Sequence, residues 1–125
     1  MSNRNILMDT TENMVRNGHL VSSATFQQLM GWASQQTVQA GLTEKRIFSM
    51  ALDGEHYFPS FFADSAYDVK QLSAVTKTLG DLPGGAKMQF FVSKKGSLRG
   101  KTTLEALAAG QFVQVMRSAA AFAEN

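Results

Sequence analysis

Cysteine is absent from the 125 residues of the chain, which excludes disulfides, thiolate catalysis and zinc–thiolate sites. Long apolar runs are absent too, since no stretch approaches the roughly 18 consecutive apolar residues that indicate a transmembrane helix. The first residues lack the apolar core and the cleavage site of a secretory signal peptide. Together these absences predict a cytoplasmic protein that does not span a membrane.

Charged residues are sparse, at 18% of the chain, and their formal sum is +2. The cations are nevertheless concentrated in residues 87–101, because no acidic residue lies between Asp81 and Glu105. Such a cluster can contact nucleic-acid phosphates or an acidic protein surface. It is also the pattern of an ordinary solvated face, which the modest net charge favours. The candidate phosphate contacts are Lys94, Lys95, Arg99 and Lys101.

Recognisable catalytic and metal-binding patterns are missing from the sequence. Residues 96–102 look like a phosphate-binding loop, but only three residues separate Gly96 from Gly100, where the Walker A pattern needs four. Neither His19 nor His56 has a metal-ligand partner three or four residues away. No Gly-x-Ser-x-Gly motif occurs. We therefore expect a protein that is not an enzyme and that uses no cofactor and no metal.

The same glycine-rich segment is better interpreted as a turn followed by a short capped helix. Thr102 can accept a hydrogen bond from a backbone N–H of the first helical turn, and Glu105 completes a capping box. Gly110 suits the left-handed residue that ends a helix. The segment is therefore expected to be structural. Its predicted motif residues are Leu98, Gly100, Thr102, Leu104, Glu105, Leu107 and Gly110.

Hydrophobic periodicity and turn signals predict an α+β fold of mainly short helices with one antiparallel β-hairpin. With 44% apolar residues, the chain 1–125 can form a single domain. Within it we expect a helical, helix-turn-helix-like region over 9–42, the hairpin over about 46–62 and a helical module over 64–124. Residues 86–93 are ambiguous between helix and strand, and a helix is favoured.

A few residues set the expected boundaries of these elements. Ser34 is expected to cap a helix that Gly41 ends. Asp53-Gly54 is expected to form the type I′ turn of the hairpin. Pro59 cannot donate a ladder hydrogen bond, so the second strand of the hairpin is expected to be an edge strand or to stop there.

Two short helices within residues 23–42, separated by a turn at Gly31, have the spacing of a helix-turn-helix. The second helix offers three glutamines, Gln35, Gln36 and Gln39. Glutamine can pair bidentately with adenine. No Arg or Lys lies between Arg16 and Lys45, however, so this segment lacks the phosphate contacts that dominate affinity for DNA. The alternative is a small helical subdomain that packs or dimerises without nucleic acid.

An eleven-residue window is rich in aromatic residues, namely Tyr57, Phe58, Phe61, Phe62 and Tyr67. Most of them are expected in the core. Their density beside a hairpin also indicates a partner-binding patch. A further interpretation is a small-ligand site lined by Trp32, Tyr57 and phenylalanines.

The C-terminal half of the chain contains an amphipathic helix with a glycine stop, an aromatic segment, a turn-and-helix motif and a final helix. These elements are carried by Leu72, Val75, Leu79 and Gly80; by Phe90 and Phe91; by Leu98-x-Gly100-Lys101-Thr102-x-Leu104-Glu105-Ala106-Leu107; and by Val113, Val115 and Ala119. In this series, residues 69–125 resemble the toxin-binding domain of bacterial antitoxins of the Xre/MbcA/ParS type. The chain departs from that family at Thr103, where proline is usual, at Phe90-Phe91, where a Trp-containing pair is usual, and by its hairpin.

The resemblance implies a helix-turn-helix-like N-terminal region that supports dimerisation and operator binding, and a C-terminal domain that blocks a toxin, commonly one that consumes NAD. It assigns five residues to the scaffold: Leu98, Gly100, Thr102, Leu104 and Leu107. The leading expectation is therefore a non-enzymatic, homodimeric protein-binding regulatory module that neutralises a toxin by steric occlusion, using the C-terminal helices and the hairpin aromatics. The alternatives are a DNA-binding regulator that uses residues 23–42 and the 87–101 cluster, and a small-ligand-binding module.

Overall fold

Seven α-helices and two small antiparallel sheets make up residues 8–124, the part of the chain that the computed structural model describes. The helices are α1 (Thr11–Arg16), α2 (Ser23–Met30), α3 (Gln35–Thr43), α4 (Val69–Leu79), α5 (Gly84–Val92), α6 (Thr103–Ala108) and α7 (Phe112–Ala123). The strands are β1 (Leu20–Ser22), β2 (Met50–Leu52), β3 (Glu55–Pro59), β4 (Lys94–Lys95) and β5 (Lys101–Thr102). The predicted α+β class is confirmed. Residues 1–7 and 125 of the predicted single domain lie outside the described part.

The first sheet has three strands in the order β1-β3-β2, all antiparallel. Its hairpin turn has positive φ at both Asp53 (53°) and Gly54 (81°), as a type I′ turn requires. Of the two alternatives predicted at Pro59, the structure shows the second: β3 is not an edge strand, because β1 pairs with its other side in the register Leu20↔Pro59. The strand does stop at Pro59, and the next backbone N–H, that of Ser60, donates to the His19 carbonyl at 2.9 Å.

Four helices begin with a side-chain capping hydrogen bond, and that of Thr102 was predicted. Thr10, Ser22, Asp68 and Thr102 each accept a bond from a backbone N–H of the first helical turn. Ser34 makes no such bond, so the predicted side-chain cap of α3 was wrong.

Gly41 lies inside α3 and does not end it, contrary to the sequence-based prediction. It is buried, and a Cβ at this position would lie 3.0 Å from Cδ1 of Ile47. Gly41 therefore packs closely against Ile47, and the glycine that resembles a helix stop lies at this contact.

One continuous core connects the sheet side of the molecule to the C-terminal helices. Phe26 of α2 stacks on Phe58 of β3, with ring centroids 4.9 Å apart. Phe48 and Phe61 both pack against Phe91 of α5, with ring centroids 5.9 Å and 5.0 Å from that of Phe91. Helix α4 packs against α7. Aromatic packing between distant parts of the chain therefore holds the fold together.

Residues 86–93 fall almost wholly in α5, as favoured. The expectation of an all-helical module over 64–124 was incomplete, because β4 and β5 form a two-residue ladder with Lys94 opposite Thr102. The ladder closes the loop around the Gly96–Leu98 3-10 turn. Two residues per strand are too few for an alternating hydrophobic pattern, and the sequence therefore gave no signal for this ladder.

A candidate partner-binding groove

An open groove of about 520 Å³ lies between the α2–α3 turn, the segment after α3 and the outer face of α4. We call it the Trp32 groove. Its wall is mainly apolar and is formed by Met30, Trp32, Arg46, Ile47, Val69, Lys70, Ser73, Ala74 and Lys77. Val69 is 40% exposed. Clefts of this size and lining are typical binding sites.

Trp32 is held in place by the end of α2. The helix stops at Gly31 in the left-handed conformation, with φ 71°, and the backbone N–H of Trp32 then donates to the Gln27 carbonyl at 3.1 Å. The indole packs edge-on against the buried Phe26 ring, with centroids 5.8 Å apart. One side of Trp32 is therefore anchored on the core while another side lines the groove.

Helix α4 supplies the opposite wall through a second face. Its core-facing residues are Leu72, Val75, Thr76 and Leu79, all buried. Its groove-facing residues include Val69, Ser73 and Ala74, which have small side chains. The sequence signal for this face was a pair of lysines at positions 70 and 77, seven residues apart on the same side of the helix as the small residues.

All charged residues that line the groove within the described part of the chain are cationic: Arg46, Lys70 and Lys77. The Arg46 Nε donates to Glu44 at 2.7 Å, which partly offsets its charge. Neither Lys70 nor Lys77 has an ion-pair partner among residues 8–124. An apolar floor with a positively charged rim favours a ligand that is apolar and acidic.

The predicted aromatic patch does not lie on the surface. Phe58, Phe61 and Phe62 are 1–2% exposed, so their assignment as partner contacts was wrong. Tyr57 and Tyr67 are partly buried and pack on the core. Phe58 points inward from β3, the central strand of the sheet. Phe61 and Phe62 lie within the 3-10 turn of residues 60–63, and both are buried in the core.

The three glutamines of α3 divide into two groups. Gln35 donates to the Ser23 carbonyl at 3.1 Å and to the Gln27 side chain at 2.7 Å, and it also bonds the Ser23 hydroxyl. It ties α3 to α2, so its amide is already engaged in hydrogen bonds within the fold. Gln36 and Gln39 are exposed and remain candidates.

The basic cluster is also not one uniform face. Lys87 is buried, and this burial is the main cause that lowers its pKa. Lys95 is partly buried, and its Nζ donates to the carbonyls of Phe90 and Ser93. Because these bonds turn the ammonium inward, Lys95 is less available for a phosphate contact than a fully exposed lysine. Lys94 and Arg99 are exposed.

The turn-and-helix motif has the predicted structural role. The Thr102 N–H donates to the Glu105 carboxylate at 2.9 Å, and the Glu105 N–H donates to the Thr102 hydroxyl at 3.0 Å. After the helix, Gly110 has φ +80°, and the Gln111 N–H donates to the Ala106 carbonyl at 2.9 Å. The capping box and a Schellman stop are therefore both present. Leu98, Leu104 and Leu107 are buried beneath them, whereas Gly100 lies in the exposed turn.

Within residues 8–124 no helix reaches the length and apolarity that a membrane crossing requires. The same residues contain no cluster of three or more His, Asp or Glu side chains that could hold a metal. His56 Nδ1 lies 3.2 Å from the Ser49 hydroxyl at the surface.

Comparison of the chain with known protein families, with curated proteins and with solved structures gives no match. The resemblance of residues 69–125 to antitoxin domains therefore stays a prediction from the sequence. The Trp32 groove and its charged rim are the features from which a function can be inferred.

Proposed function

We propose that the protein is a non-enzymatic, protein-binding regulatory module that receives an apolar, acidic segment of a partner protein in the Trp32 groove. The observation that carries this proposal is the combination of an apolar wall, a partly exposed tryptophan and three cations, with no carboxylate among the lining residues that the structure describes. Tryptophan is among the residues that most often dominate binding energy at interfaces. Cations at the rim of such a site steer an acidic partner and select against a basic one.

The proposal agrees with the prediction of an antitoxin-like module. It differs from that prediction in the surface that binds the partner. The phenylalanines of the hairpin are in the core, so occlusion of a toxin would use the Trp32 groove and the outer face of α4. A protein seated on this groove would contact both the N-terminal elements and α4. The predicted homodimer stays a prediction, and sedimentation of the purified protein would test it.

The test starts from capture of partners from native lysate by the tagged protein after nuclease treatment. Two charge-matched double variants are compared with wild type: Lys70→Glu with Lys77→Glu at the groove, and Lys94→Glu with Arg117→Glu away from it. A captured protein supports the proposal only if the groove variant loses it and the distant variant keeps it. Equal retention by both variants would overturn the proposal.

Trp32 is the only tryptophan of the chain, so its fluorescence reports occupation of the groove directly. Addition of the purified captured protein should change the Trp32 emission, with a dissociation constant that weakens as salt is raised. We expect the groove variant to weaken binding by about 10-fold or more at low salt. An unchanged Trp32 signal on a complex that forms by other criteria would place the interface elsewhere.

Duplex DNA is a second candidate partner, favoured by the exposed Gln36 and Gln39 on the second helix of a helix-turn-helix pair. The order β1, α2, α3 and the β2–β3 hairpin, with β3 central, is the order of elements in a winged helix-turn-helix. The hairpin turn carries the acidic residues Asp53 and Glu55, which oppose contact with phosphates. DNA retention that falls steeply with salt and is lost in a Gln36→Ala, Gln39→Ala variant would favour this candidate over a protein partner.

A further inference from the structure

A second cavity, of about 350 Å³, opens between the C-terminal end of α5, the β4 strand and α7. We call it the Lys95 cavity. One wall is apolar and is formed by the rings of Phe90 and Phe122, whose centroids lie 5.1 Å apart. Another wall is polar, where the hydroxyl oxygens of Ser97 and Ser118 lie 3.1 Å apart. The cavity can therefore hold a molecule that has both an apolar part and a polar group.

The Lys95 amine is fixed at this cavity. Its Nζ donates to the Phe90 carbonyl and, at 2.8 Å, to the Ser93 carbonyl, and it lies 4.4 Å from the centroid of the Phe90 ring. A neutral amine still has two N–H bonds, so it can keep both hydrogen bonds while its lone pair is unshared. Burial lowers the pKa of Lys95 to about 8. About half of this amine is therefore neutral at pH 8, against less than about 1% of an ordinary lysine.

The charged groups around Lys95 are cationic. Lys94 lines the same cavity, and Lys101 lies opposite Lys95 in the β4–β5 ladder. Arg117 of α7 lines an adjoining cavity that shares Ser97 and Ser118 with this one. No carboxylate lines either cavity within residues 8–124. A ligand with an anionic group is therefore favoured.

We propose that Lys95 is a covalent binding site for a small aldehyde or ketone that carries an anionic group. The Lys95 nitrogen attacks the carbonyl carbon, so that a C–N bond forms and the carbonyl oxygen takes a proton to become a hydroxyl. This hydroxyl then leaves as water while the nitrogen loses its remaining proton, and an imine results. Amine and carbonyl compound are converted to imine and water with no oxidant or reductant. The proposal is independent of the Trp32 groove.

Lys87 shows why the cavity matters for this assignment. Burial is also the main cause that lowers its pKa, but Lys87 is 7% exposed and does not line the Lys95 cavity. If a lowered pKa were sufficient, both lysines would react. If access through the cavity is also needed, only Lys95 will.

The test uses pyridoxal 5′-phosphate as a probe of an anionic aldehyde, with cyanoborohydride to convert any imine to a stable amine. Wild-type protein is labelled at pH 8, and peptide mapping by mass spectrometry quantifies each lysine. We expect Lys95 to be labelled about 10-fold more than Lys94, because part of its roughly 100-fold advantage in neutral amine is lost to restricted access. The ranking is made among lysine side chains, since an α-amino group has an ordinary pKa of about 7.7–8.0.

Three outcomes would overturn the proposal. Labelling of Lys95 at or below the level of Lys94 would show that Lys95 is not a preferred site. Labelling of Lys87 at the level of Lys95 would show that access through the cavity is not needed. Equal labelling of Lys95 by pyridoxal, which lacks the phosphate, would show that the site does not prefer an anionic ligand. As a further check, labelling of Lys95 should rise between pH 7 and pH 9 and level off, whereas labelling of Lys94 should keep rising. Wild-type protein suffices for each measurement, so none depends on the folding of a variant.

Discussion

The N-terminal region, residues 11–63, and the C-terminal region, residues 69–123, differ in what determines their structure. In the N-terminal region, β1 and β3 pair although Leu20 and Pro59 are far apart in the chain. In the C-terminal region, α4 starts at the Asp68 cap, and α6 starts at the Thr102 capping box and stops at a glycine. Local chemistry therefore sets the element boundaries in the second region, while distant contacts set the topology of the first.

The two regions meet in one core, and α5 forms the junction. Phe91 of α5 contacts Phe48 and Phe61 of the N-terminal region. At its first residue, Gly84, a Cβ would lie only 2.1 Å from the Ser49 carbonyl oxygen. Each region is therefore stabilised by the other, and the contrast between them can be tested by substitutions within each and at the junction.

The largest expected effect is loss of the aromatic stack in the N-terminal region. Phe26→Ala should lower the free energy of unfolding by about 3–5 kcal/mol, because it leaves a cavity beneath Phe58 and Trp32. Leu29→Ala on the same helix, where the side chain is 52% exposed, should change it by less than about 0.5 kcal/mol. Urea titration measures both. Similar losses for the two variants would contradict the assignment of the stack as the organising contact.

The next effect concerns the junction between the regions. Gly84→Ala should destabilise the protein by roughly 1–3 kcal/mol, since the new methyl group meets the Ser49 backbone and cannot be relieved by a side-chain rotation. Gly85→Ala is the matched control, because no atom lies within 4 Å of a Cβ there and its φ is not positive. It should stabilise the protein by about 0.4–1 kcal/mol. Thermal unfolding of the pair should show shifts of opposite sign, and shifts of the same sign would refute the close approach.

A smaller effect distinguishes a hydrogen-bonded cap in the C-terminal region from a cap residue of the N-terminal region that makes no such bond. Thr102→Ala removes one half of the capping box and should cost about 0.5–2 kcal/mol. Ser34→Ala should cost little, because the Ser34 side chain makes no capping bond. Urea titration again measures the difference. An equal cost at both positions would mean that the capping bond in α6 contributes nothing beyond helix-start preference.

The smallest effect is a pH dependence from Lys95. Its pKa of about 8 in the folded protein lies below the ordinary value of about 10.4 in the unfolded chain. Between these values the unfolded state binds more protons, so the stability contributed by this group rises with pH from about 8 to 10.4 and is constant below 8. Partial exposure of the amine reduces the size of this effect but does not change its sign.

Lys95→Met isolates this contribution, because Lys87 and all other titrating groups remain in both proteins. The free energy of unfolding of wild type should gain on that of the variant as pH is raised from 7.5 to 9.5. A difference that stays constant over this range would show that burial does not perturb the Lys95 amine.

The helices and the hairpin turn were predictable because each depends on a few adjacent residues. Thr102 and Glu105 form the capping bonds that their positions predicted. The strand β1 was not predictable, since its three residues carry no alternating pattern and exist as a strand only through pairing with β3. Gly41 misled for a related reason: its partner in space, Ile47, was not evident from local pattern.

The candidate sites were harder to predict than the fold. Trp32 was named as a possible ligand contact, but its partners in the groove, such as Val69 and Lys70, come from a helix that is distant in sequence. The hairpin phenylalanines were assigned to both core and surface, and composition alone offered no choice between them. In the sequence, Lys95 is indistinguishable from a surface cation, since no adjacent residue indicates that its amine will pack against the Phe90 ring.

The sequence by itself determined the α+β class, the type I′ turn and the capped helices, because helix caps and tight turns depend on hydrogen bonds within a few residues. Only the tertiary structure decided which side chains are buried and which are available. That difference arises because burial of Phe58 and Phe61, partial burial of Trp32, exposure of Val69 and the inward orientation of Lys95 all result from packing between elements far apart in the chain.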